Sequence, residues 1–107
     1  MTIQQITATQ LQKKITDSEE LLLLDVREPY EYQHAHISGS ILMPMNQIQQ
    51  RLSELNPDQE TVVICHHGMR SQQVAEFLEY SGFSNIINLI GGIDSWSIDC
   101  DDSVARY

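Results

Sequence analysis

The amino-acid sequence predicts an α/β fold on a mostly parallel sheet, and three observations carry that prediction. Short apolar runs alternate with helical patterns along the chain, as they do in successive βαβ units. The run over residues 21–26, broken only by Asp25, lacks the in-and-out alternation of a half-exposed strand and reads as one buried on both faces. Finally, 107 residues with 41% hydrophobic content supply one core and leave no room for a second, so a single domain is expected over residues 1–107.

The elements follow in order. Residues 3–6 read as an edge strand. Thr7, with Gln10 three positions on, forms a capping box that opens a helix to about Ile15, ended by Asp17 and Ser18. Residues 21–26 make a central strand with Asp25 at its carboxyl end, where α/β folds bind their ligands. Ile41 and Leu42 form a short strand between Gly39 and Pro44, followed by a helix over residues 46–55 and a turn at Asn56, Pro57 and Asp58. Residues 61–65 are the next strand. Ser71 is placed to cap a helix with Val74, Ala75, Phe77 and Leu78 on one face, closed by Ser81 and Gly82. Residues 86–89 form the last strand, Gly91 and Gly92 a turn, and residues 93–96 the start of a helix that lays Trp96 on the core. The stretch 99–107 carries Asp99, Asp101 and Asp102 and shows no periodicity.

Composition excludes several functions. Fifteen acidic against six basic residues give a net charge of −9, which argues against nucleic-acid binding, where Lys and Arg neutralise phosphates. The longest apolar run falls far short of a membrane span. The opening residues have neither a basic start nor an apolar signal core, so an unprocessed, cytoplasmic chain is expected. Two cysteines, Cys65 and Cys100, are too few for a disulfide scaffold and suit a reducing compartment.

Residues 61–71 carry the chemistry. An apolar strand runs into Cys65, then His66, His67, Gly68 and Met69 lead to Arg70 and Ser71. A cysteine at a strand end, before a short turn into a helix, sits where loop N–H groups converge and the helix N-terminus is positive, a field that favours thiolate. Gly68 permits a positive φ or a close backbone approach, and Arg70 is one of few cations in an acidic chain.

Three separated motifs resemble the single-domain rhodanese, or thiosulfate sulfurtransferase-like, family. Residues 24–32, with the turn His36, Ile37, Ser38, Gly39 and Ser40, are similar to its first signature; the cysteine loop is the second; residues 88–96, with a double glycine before Trp96, are similar to the third. All three fall in order between about residues 21 and 97. The first turn departs from the family pattern at Ala35, Ser38 and Ser40, where glycine, proline and alanine are common. These changes concern turn stiffness, not sulfur chemistry.

The resemblance implies a three-layer α/β sandwich with a central, mostly parallel sheet of about five strands. It implies a sulfurtransferase in which Cys65 takes a sulfur from a small anionic donor such as thiosulfate, and passes it from a persulfide to cyanide in vitro or to a thiol or protein. His66, His67, Gly68, Met69, Arg70 and Ser71 then cradle the anion, with Asp25 and Arg27 bracing the loop. His36 is structural in that turn. No metal or organic cofactor is expected, because His34, His36, His66, His67 and Cys65 match no zinc-ligand spacing, and the chain is read as a monomer. Cys100 among acidic neighbours is expected to be incidental. Three rivals stand beside this reading, the first a persulfide relay to a protein acceptor for which free thiosulfate is only a convenient donor. Phosphatase and arsenate-reducing relatives use a loop one residue longer than the four residues between Cys65 and Arg70, and non-catalytic binding modules of the family lose the cysteine.

Overall fold

The computed structural model describes residues 3–107; Met1 and Thr2 lie outside the described residues. Nine elements build it: β1 (Gln4–Ile6), α1 (Ala8–Thr16), β2 (Leu22–Asp25), α2 (Pro29–His34), β3 (Ile41–Leu42), β4 (Thr61–Ile64), α3 (Met69–Tyr80), β5 (Ile86–Leu89) and α4 (Gly92–Asp99). The five strands form one sheet in the order β1-β5-β4-β2-β3, and every pair is parallel. The register sets Leu24 beside Val63 and Val63 beside Asn88. This is the α/β sandwich expected, with β4 at its centre.

Parallel strands need cover on both faces, and alternate residues supply it. Leu24, Val26, Val63, Cys65 and Ile86 point to one face, where Val74, Ala75 and Leu78 of α3 pack on them. Leu23, Val62, Ile64, Ile87 and Leu89 point to the other, against Ala8 and Leu11 of α1 and Ile93 and Trp96 of α4. The capping box at the start of α1 is present, since Thr7 Oγ1 accepts from the Gln10 N–H at 3.2 Å and the Gln10 side chain accepts from the Thr7 N–H at 2.8 Å.

Three sequence expectations need correction. Residues 46–55 form no α-helix but two 3₁₀ turns, Met45–Gln47 and Leu52–Glu54. The apolar pairs Met45/Ile48 and Leu52/Leu55 are spaced i, i+3, the period of that tighter turn, and all four pack on the α3 face of the core. Ser71 does not cap α3: the cap lies three residues earlier, at Gly68 in the left-handed region, and Ser71 is buried in the first turn. Phe77, expected among the apolar face of α3, is 38% exposed. The sequence reading also passed over α2, although Pro29 stands at its first turn, where its missing N–H costs nothing. The turn after α2 closes despite Ala35, Ser38 and Ser40, because the Ser40 N–H and Oγ both donate to the Ile37 carbonyl, at 3.0 and 2.6 Å. His36 stacks on Tyr32 at 4.0 Å in that turn.

Asp25 and Arg27, both fully buried, tie β2 to this region. Arg27 Nε and Nη2 fork onto the Asp25 carboxylate at 2.8 and 2.6 Å, and Nη2 also donates to the Ala35 carbonyl at 2.6 Å. Burial works against the guanidinium charge, yet the Asp25 and Tyr107 contacts together outweigh it and hold the Arg27 pKa above its ordinary value. Asp25→Ala strands a buried cation and is expected to cost roughly 3–5 kcal/mol of stability, measured by urea denaturation.

Candidate active site

Cys65 follows the last residue of β4 on the face covered by α3, and is 1% exposed. Its sulfur is among apolar residues but does not lack polar partners. The Gly68 N–H donates to Sγ at 3.0 Å, and Ser71 Oγ lies 3.3 Å away. Among the described residues one amide, not a ring of them, meets the sulfur, and a hydroxyl from α3 completes the contact. Gly68, whose amide meets the sulfur, has φ +103°, a conformation that L side chains rarely adopt.

The Ser71 hydroxyl links inward as well. It donates to Asn88 Oδ1 at 2.5 Å, while Asn88 Nδ2 donates to Gln5 Oε1 at 2.8 Å and to the Gly68 carbonyl at 3.3 Å. A serine has one proton to give. While it goes to Asn88, the Ser71 oxygen accepts from the Cys65 S–H; once the sulfur ionises, that proton can turn to Sγ instead.

The loop backbone is held from the other side by α4. The Ile93 N–H donates to the Cys65 carbonyl at 2.8 Å and the Asp94 N–H to the His66 carbonyl at 3.2 Å. These are the otherwise unpaired amides of a helix N-terminus. The approach is possible because residue 92 is glycine: with φ +59°, a Cβ there would land on the carbonyl groups of Cys65 and His66.

A cavity of about 200 Å³ opens at the cysteine loop, lined by Cys65, His66, His67, Met69 and Arg70. Arg70 is not a free cation. Its Nη1 and Nη2 donate to Glu31 Oε1 and Oε2 at 2.8 and 2.9 Å. This fork holds the Glu31 carboxyl at about 2, against the opposing effect of burial, with smaller help from the Glu28 amide and the Tyr107 hydroxyl. The same pairing pushes the Arg70 pKa upward. Asp25 and Arg27 do not touch Cys65 by hydrogen bond; Arg27 Nη1 donates to Tyr107 Oη at 2.8 Å, which donates to Glu31 Oε2 at 2.8 Å, so their bracing reaches the loop through two intermediaries.

His66 lies between two rings, stacked on Tyr107 at 3.9 Å and on His67 at 3.9 Å. Burial, and then the neighbouring His67, lower its pKa, and its Nε2 is buried with no hydrogen-bond partner among the described residues. His67 and Met69 are exposed at the rim. His66, His67 and Asp94 gather one ligand atom each within 4.8 Å, a grouping different from the histidine set considered from the sequence. Asp94 is occupied by Arg106 through contacts of 2.8 and 3.3 Å, and stacked imidazoles direct their in-plane lone pairs along neighbouring planes, not at one ion. Burial, and then Asp99 and Asp101, raise the Cys100 pKa, so its acidic neighbours are the lesser cause.

Glu31, Asn88, Gly92 and Tyr107 were not among the site residues expected from the sequence, where Gly92 entered only as half of the double glycine. Asn88 had a signal, a polar residue inside an otherwise apolar strand. Glu31 had a weaker one beside Pro29, and Tyr107 had none.

A strand-turn-helix that presents a cysteine sulfur to a helix N-terminus beneath a small cavity defines a cysteine-loop α/β domain. The profile of the rhodanese-like domain matches residues 7–99, and the chain belongs to that family. A protein from Allochromatium vinosum named as a sulfurtransferase is 34% identical over 95 residues, spanning 89% of each chain. YrkF of Bacillus subtilis is 37% identical over 95 residues, 89% of this chain but only 51% of its own length. The crystal structure of a Staphylococcus saprophyticus protein superposes with a TM-score of 0.85 at 34% identity, covering 97% of this chain and all of the other. No helix among the described residues is long and apolar enough to cross a membrane.

Two outcomes check this geometry. Glu31 is depressed below its ordinary 4.5, so its stabilisation is complete above that pH and is lost as pH falls towards about 2. The loss is expected to reach about 3 kcal/mol in acid denaturation, with Glu31→Gln flattening that part of the profile. Gly92→Ala is expected to cost about 2 kcal/mol or more in urea denaturation, with Cys65 alkylation kinetics altered, because the loop carbonyls must move.

Proposed function

We propose that the chain is a sulfurtransferase that carries sulfur as a persulfide on Cys65, with thiosulfate or a similar small anion as donor. The observation that supports this most is that Cys65 lines a small cavity and its sulfur accepts from the Gly68 N–H at 3.0 Å. Family membership and the name of the Allochromatium relative point the same way.

The thiolate of Cys65 attacks the outer sulfur of thiosulfate. A new S–S bond forms to Cys65, the S–S bond of the donor breaks with its electron pair going to the leaving group, and sulfite departs. No net oxidation or reduction is needed. The terminal sulfur of the persulfide is anionic, and the Gly68 amide, the N-terminus of α3 and the Ser71 hydroxyl offer it the donors that served the thiolate. Attack by cyanide on that outer sulfur releases thiocyanate and restores the thiolate; in a cell a thiol or a protein acceptor takes the same place. A general base is unnecessary once the sulfur is ionised. His66, His67 and Met69 shape the entrance, while the neutralised Arg70 offers its remaining N–H groups to the donor's oxygens, a more directional role than a bare charge. This reading takes the protein as a cytoplasmic monomer without metal or organic cofactor.

Intact-mass spectrometry after incubation with thiosulfate tests it. One added sulfur atom is expected, removable by cyanide and absent in Cys65→Ser. A folded protein that gains no sulfur would instead be a binding module, and turnover of an aryl phosphate would move the assignment to phosphoryl chemistry.

A further inference from the structure

We infer that Tyr107 is a positioning residue for the cysteine site, its hydroxyl setting the Glu31–Arg70 ion pair at the cavity wall and its ring setting the cysteine loop. This rests on the reading of Cys65 as the nucleophile. The segment that carries Tyr107 has no periodicity in the sequence, yet it is fixed to the same helix that holds the loop. The Asp101 N–H donates to the Trp96 carbonyl at 3.0 Å, Ser97 Oγ donates to the Val104 carbonyl, Val104 packs against the core beneath α1 and α4, and Arg106 forks onto Asp94. Those anchors deliver Tyr107 to the site from α4, while α3 supplies Gly68, Arg70 and Ser71.

The hydroxyl has one proton and must spend it in one direction. Arg27 has only donors, and an ionised Glu31 only acceptors, so Tyr107 Oη accepts from Arg27 Nη1 and donates to Glu31 Oε2. Without it, Arg27 Nη1 keeps only a long 3.4 Å contact to the Glu31 carbonyl, and Glu31 Oε2 keeps only Arg70. The carboxylate that aims Arg70 is then held less tightly. The ring acts separately. It lies 7° from parallel to His66 at 3.9 Å, and His66 is the residue directly after Cys65. With His67 on the opposite face, the His66 ring is pinned, and so is the first peptide of the loop that returns the Gly68 amide to the sulfur.

Removing the hydroxyl and removing the ring therefore have different signatures. In a Cys100→Ser background, which leaves Cys65 as the sole thiol, Tyr107→Phe is expected to raise KM for thiosulfate about ten-fold, the value of one hydrogen bond to a charged group, with little change in kcat. Its rate of Cys65 alkylation by iodoacetamide and its persulfide lifetime stay at the parent values. Tyr107→Leu, which keeps bulk but not the flat ring, is expected to change both the alkylation rate and the persulfide lifetime, and phenylalanine at the same position restores them. Circular dichroism confirms that each variant is folded. Phenylalanine and leucine variants that match the parent in all four quantities would overturn the inference, as would variants that match each other. The thiosulfate reading fails separately: if thiosulfate gives no turnover, loading Cys65 with inorganic polysulfide still yields the lifetime, and the alkylation rates still separate the two variants.

Discussion

The geometry of the site depends on two hydrogen bonds across its back. The carbonyls of Cys65 and His66 lie just past the end of the central strand, where the chain turns, and the amides of Ile93 and Asp94 in the first turn of α4 take them. With those oxygens committed outward, the next peptides must rotate, and the Gly68 amide comes round to the sulfur at 3.0 Å. The requirement for glycine at residue 92 follows from the same contact, because any side chain would occupy the space the carbonyls need. One helix N-terminus thus shapes the loop while another, that of α3, faces its contents.

Around this runs a hydrogen-bonded chain, from the buried Asp25, Arg27 and Glu31 out to the partly exposed Tyr107 and Arg70, joined by contacts of 2.6 to 2.9 Å. Each cation in it faces a carboxylate, so the set is close to neutral and its burial is tolerable. Its value is geometric. Charges exchanged in forks leave few alternative arrangements, which suits a site where a guanidinium must keep one orientation. The acidity of the chain as a whole leaves this set untouched, since it is paired from within.

What could be read from the sequence was what local patterns encode. The continuous run before Asp25, the capping box at Thr7 and the strand into Cys65 each state their own structure, and the three motifs, in order along the chain, pointed to the family and to the cysteine loop. The misses share a cause. Ser71 looks like a cap because serine usually is one, but Gly68 in the left-handed region starts the helix earlier and sends Ser71 inward to Asn88. Residues 46–55 have nearly helical spacing, yet packing on the sheet resolves it into two tight turns. Arg70 is a lone cation in sequence and a paired one in space, because Glu31 comes from 39 residues away. Tyr107 reaches the site only through tertiary contacts, which no window of sequence contains.

The sheet's borders have a consequence for how the molecule meets its own kind. Its outermost strands are β1, three residues, and β3, two residues. Open strand margins are templates on which another polypeptide can add a rung, and the hazard grows with their length. Margins this brief offer a newcomer very few main-chain bonds. The protection is written into the backbone, so it persists in acid, where carboxylates take up protons and repulsion between like-charged surfaces fades.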